Sequence, residues 1–142
     1  SKLEVVEKIN KFLDSDGVQP ANRCFIAHNA SFDRRFIHAL YESVDQEFKS
    51  SLWLDTMALT KAYAKKNNIL KPKVNLQAAC DLVGIKKISG AHAAKIDTRN
   101  TFFLYKNLVE DKKIDHLPLI KTQHHSYNQS EYYEEIDESI FD

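Results

Sequence analysis

Two short stretches bring together residue types suited to hydrolytic chemistry at neutral pH. The first reads His28-Asn29-Ala30-Ser31-Phe32-Asp33 and the second His92-Ala93-Ala94-Lys95-Ile96-Asp97. Carboxylates such as Asp33 and Asp97 are hard oxygen donors of the kind that hold divalent cations. A histidine with an ordinary pKa near 6.5 can accept a proton from water around pH 7–8. Each stretch also has a plain reading. Asp33 can be a first-turn acid interacting with a helix dipole, and His92 and Asp97 can be an unrelated loop histidine and surface acid. On a helix a five-residue step turns about 500°, a net rotation of about 140°. His92 and Asp97 therefore work together only if His92 sits on the lead-in to a helix that carries Asp97.

The elements that would position these residues follow from periodicity. Leu3, Val6, Ile9, Phe12 and Leu13 recur at helical spacing over 3–13, and Gly17 and Pro20 end that helix. Residues 23–28 form a short apolar run suited to a parallel strand buried on both faces. Asn29-Ala30-Ser31 turns the chain into a helix marked by Phe32, Phe36, Ile37 and Leu40. Ser51 to Asp55 reads as a second strand, with Thr56 as the cap of a helix over 57–66. Asn75 caps a helix over 76–83 that Gly84 closes, 85–91 is a loop, and an amphipathic helix runs from 93 to 109. Alternating strands and helices imply parallel strands joined by right-handed crossovers. Asp33 then lies past the carboxyl end of a strand, where open α/β sheets bind their ligands.

Taken together, the order is strand, His-Asn-x-x-Phe-Asp, helix, strand, Leu54-Asp55-Thr56, helix, Asn75-Leu76, helix, Gly84-Ile85, and finally Gly90-Ala91-His92 with Asp97 on a helix. Over residues 1–110 this resembles the DEDDh-type 3′–5′ exonuclease superfamily, whose members proofread for DNA polymerases and trim RNA. The resemblance implies an α/β, ribonuclease H-like fold, present here in part: parallel strands with flanking helices, without the N-terminal strands of the sheet. It implies that Asp33 and Asp97 are metal ligands and that His92 is the catalytic general base. It places His28, Asn29 and Phe32 beside the terminal nucleotide, with Asp55 in a supporting role. The implied cofactors are two Mg²⁺ or Mn²⁺ ions, which together activate the attacking water and stabilise the leaving oxygen. The implied partner is a single-stranded or frayed 3′ end of DNA or RNA, and a polymerase or a second chain completing the sheet.

The chain departs from that family at one point. Family members open with a strand ending in Asp-x-Glu, and no apolar strand here ends that way; the acidic run Glu134-Glu135-Ile136-Asp137-Glu138 is polar and differently ordered. The expectation is that sequence outside this chain supplies the first metal motif, and that residues 1–142 alone hydrolyse nucleic acid poorly. The 23–28 strand is then expected to lack a neighbour. The alternative is a non-catalytic nucleic-acid-binding module or adaptor on a degenerate exonuclease fold.

Charge divides the chain in two. All 20 Lys and Arg fall in residues 1–121 beside 14 of the 20 Asp and Glu, an excess of six positive charges. Residues 122–142 carry the other six acids and no Lys or Arg. The reading is one domain over 1–121, whose basic character suits a polyanion, followed by an acidic, flexible tail. His124 and His125 belong to that tail rather than to a metal site. Cys24 and Cys80 read as buried, reduced thiols, which fits a cytoplasmic protein. No apolar run reaches the roughly 18 residues that mark a membrane span.

Overall fold

Each helical stripe anticipated above becomes a helix in the computed structural model, which describes residues 1–49, 52–86 and 94–122. In chain order these are α1 (Lys2–Asp14), β1 (Cys24–Ala27), α2 (Ala30–Glu42), β2 (Leu52–Asp55), α3 (Thr56–Lys66), α4 (Leu76–Leu82), α5 (Ala94–Lys106) and β3 (Lys121–Thr122). The strands form one mixed sheet in the order β1-β2-β3, with β1 parallel to β2. An α/β architecture is therefore present. The loop expected over 85–91 lies largely outside the described residues, as do His92 and the tail from 123 onward.

Packing divides the chain into two units. The first holds Ser1–Cys24, Ser31–Leu52 and Thr122; the second holds Phe25–Ala30 and Trp53–Lys121. In the first unit, Val6 of α1 and Ala39, Leu40 and Tyr41 of α2 are buried. Tyr41 also ties the two helices through polar contacts. Its hydroxyl donates to Asn10 Oδ1 at 2.6 Å, while Asn10 Nδ2 donates to Gln46 Oε1 at 3.1 Å. Burial and the nearby Asp14 charge push the Tyr41 hydroxyl up to about 12. Phe48 meets the rings of Tyr41 and His38 edge-on, with centroids 5.1 and 5.5 Å away. Past the end of α1, Arg23 grips the Asp16 carboxylate at 2.6 and 2.8 Å, which holds Asp16 down to about 2.

The second unit contains Phe25–Ala27 of β1, Trp53–Asp55 of β2 and Lys121 of β3, together with α3, α4 and α5, and these helices pack on one another. Leu59, Ala79, Cys80, Leu104 and Leu108 are fully buried there. On the sheet, Phe25 of β1 stacks on Trp53 of β2 with centroids 5.1 Å apart. The α4 ends agree with expectation: Asn75 Oδ1 accepts from Ala78 N at 2.8 Å, and Gly84 takes φ 78°, open to glycine without strain.

Four local expectations are corrected. Asp55, not Thr56, caps α3, and Thr56 is the helix's first residue. The last helix does not continue to 109 as a regular α-helix, because Asn107–Asp111 forms a wider π-type turn. A two-residue strand, β3, pairs beside β2 where no strand was expected. Finally, β1 is not buried on both faces. It is an edge strand among the described residues, and Ile26 is 39% exposed.

Candidate functional site

The turn that follows β1 is held by side chains from the next strand and helix. Asn29 adopts φ 65°, a left-handed conformation that Asn tolerates better than most residues. Its N–H donates to Asp55 Oδ1 at 2.9 Å. The same oxygen accepts the Met57 N–H at 2.9 Å and so caps α3. One carboxylate oxygen thus pins the end of β1 to the end of β2 and the start of α3. This supporting geometry explains why an acid, rather than Thr56, provides the cap.

His28 is fixed on both sides of its ring. Nε2 lies 2.7 Å from the Val74 carbonyl oxygen and Nδ1 lies 2.7 Å from Thr56 Oγ1. A carbonyl only accepts, so Nε2 carries the proton. In the neutral imidazole, Nδ1 is then the acceptor and the fully buried Thr56 hydroxyl donates to it. Thr56 Oγ1 also lies 3.4 Å from the Ala27 carbonyl. Protonating His28 would reverse the Nδ1 bond and turn the hydroxyl toward that carbonyl. Neither ring nitrogen is directed to a ligand, so any contact of His28 with a nucleotide would use its ring face or backbone.

Burial lowers the His28 pKa below its ordinary 6.5, opposed by the bond to Val74 and by the Asp55 charge. The folded chain therefore resists taking a proton that the unfolded chain accepts. Above pH 6.5 both states are neutral at this position and the stabilisation is fully present. It is lost as pH falls from 6.5 through the lower folded pKa. Denaturant midpoints measured from pH 8 to pH 5 are expected to fall more steeply for the native chain than for His28→Gln. Parallel curves would show that His28 does not titrate with folding.

The remaining motif residues are placed as follows. Asp33 is an exposed residue in the first turn of α2, in the first unit, next to Phe32, which is 64% exposed. Asp97 is an exposed residue in the first turn of α5, in the second unit. It lies on the same side of α5 as the fully buried Asn100 and Leu104, toward the helix start. His92 lies outside the described residues. The donor chemistry of Asp33 and Asp97 suits Mg²⁺ or Mn²⁺. Among the described residues, however, no group of three or more His, Cys, Asp or Glu side chains gathers to hold a metal. They do not by themselves complete the two-ion site that the resemblance implies.

Sequence reasoning missed Thr56 as the partner of His28, and Val74 altogether. The Leu54-Asp55-Thr56 strand end was a usable signal for the first; nothing local marks Val74, whose contribution is a backbone carbonyl. The cavity of about 390 Å³ in the first unit, walled by Leu13, Tyr41 and Phe48, includes none of the motif residues. Compared with protein-family models, curated proteins and solved structures, the chain has no significant match to any.

Proposed function

We propose that this chain is part of a metal-dependent 3′–5′ exonuclease of the DEDDh type, with its first metal motif supplied by sequence outside residues 1–142. One observation carries the reading. A parallel strand, β1, leads through His28-Asn29 into a helix whose first turn holds Asp33, and the ordered motif set continues to Asp97 in the first turn of α5. The turn after β1 lies past the carboxyl end of a strand, which is where open α/β sheets bind their ligands. Asp33 and Asp97 contribute two oxygen ligands, and His92 takes the proton of the attacking water. Bound Mg²⁺ or Mn²⁺ supplies charge stabilisation on the scissile phosphate and a water nucleophile at neutral pH. Asp55 and Thr56 hold the His28-Asn29 turn in register with the start of α3.

The test compares two polypeptides on a 3′-labelled oligonucleotide with Mg²⁺ or Mn²⁺. Residues 1–142 alone are expected to release little or no mononucleotide, because two of the four implied carboxylates are not in them. A longer polypeptide that adds a strand ending in Asp-x-Glu before Ser1 is expected to release mononucleotides in an EDTA-sensitive way. Robust EDTA-sensitive release by 1–142 alone would sink the expectation of a missing motif. Inactivity of both, with retained binding, would favour the non-catalytic nucleic-acid-binding module.

A further inference from the structure

We propose that the outward face of α5 is a sequence-tolerant contact for single-stranded nucleic acid, formed by Lys95, Arg99, Phe102 and Lys106. At about 100° of turn per residue these four positions fall within about 60° of one another, and at about 1.5 Å of rise they span about 16 Å. All four are exposed, Phe102 by 53%. The opposite side of the helix is its packed side, where Asn100 and Leu104 are fully buried. The one acid of α5, Asp97, projects nearly opposite the stripe. Three positive charges therefore stand in line with an aromatic ring between them and no α5 carboxylate among them.

The local contacts of the stripe suit exchange with a ligand. Lys106 Nζ lies 5.7 Å from the Phe102 ring centroid and 3.9 Å from Glu110 Oε2. An exposed ion pair of this kind is weakly held in water. Phe103, 41% exposed, sets its ring centroid 5.9 Å from that of Phe102 and widens the aromatic surface. Cations that neutralise phosphates, alternating with rings on which bases stack, are how proteins hold single strands without reading sequence. Charge complementarity selects a polyanion, and the exposed phenylalanines select one with flat, stackable groups. The inference rests on the nucleic-acid reading above, but the contact needs no 3′ end.

The experiment measures fluorescence anisotropy of a labelled circular oligothymidine, which has no 3′ end, titrated with the full chain in EDTA at several salt concentrations. The native chain is expected to bind the circle. Lys95→Gln/Arg99→Gln/Lys106→Gln is expected to weaken binding at least about tenfold at low salt and to flatten the dependence of log affinity on log salt by about 2. Phe102→Ala is expected to weaken binding by about fivefold to a hundredfold with little change in that slope. The proposal is overturned if the native chain ignores the circle, or if the triple variant keeps the native slope. It is also overturned if a polyglutamate peptide of equal charge binds as tightly and is indifferent to Phe102→Ala, which would assign the stripe to an acidic protein partner. Stripe-dependent binding of the circle, with no hydrolysis of linear substrate even by the longer polypeptide that adds the Asp-x-Glu strand, would defeat the exonuclease reading alone. Hydrolysis of linear substrate with no binding of the circle would defeat the stripe alone.

Discussion

Replacing Asp97 with Ala in a polypeptide that carries the complete motif set is expected to lower mononucleotide release at least about a hundredfold, since a metal centre contributes several kcal/mol of transition-state stabilisation. Folding should barely change. Asp97 is exposed, in the first turn of α5, and its surroundings are the helix start rather than the core. A first-turn acid adds about 0.3–1 kcal/mol through the helix dipole, so the loss of stability should stay within that range. Asp97→Asn keeps the shape and removes the charge, so it should lose both contributions as alanine does. If activity survives either change, Asp97 is a surface acid and the match of the His92–Asp97 stretch to the family pattern is a coincidence of spacing. His92→Ala in the same background is expected to cost about 10²–10⁴-fold in turnover.

Thr56→Val carries the largest expected effect on folding. The side chain is fully buried, and its hydroxyl is the partner of His28 Nδ1 at 2.7 Å. Valine preserves the shape but leaves that nitrogen without its donor, at a cost of about 1–3 kcal/mol. Thr56→Ser keeps the hydroxyl and should lose less, the remainder reflecting one buried methyl group at roughly 1 kcal/mol. The comparison is made by urea denaturation at pH 8, where His28 is neutral in both states. Equal losses for valine and serine would mean that the hydroxyl bond contributes little and that packing around the α3 start dominates. Since Thr60 Oγ1 donates to the Thr56 carbonyl and not to its side chain, that bond survives in both variants.

The sequence alone determined most of the helices. Their apolar residues recur at a period that only a helix can place on one side, and Asn75 and Gly84 mark ends through chemistry that acts within a few residues. It also determined the order of the chemical motifs and their positions at the strand end and helix starts, because these depend on nearest neighbours in the chain. The tertiary structure decided what depends on residues far apart in sequence. Asp55 became the cap of α3 because its Oδ1 also serves the Asn29 N–H, 26 positions away. His28 became a fixed ring because the Val74 carbonyl, 46 positions on, takes its second nitrogen. The composition of β1 suggested burial on both faces, yet among the described residues it is an edge strand and Ile26 is exposed. An apolar run reports a side chain's preference for burial, but only the pairing of strands decides whether a neighbour is there to provide it.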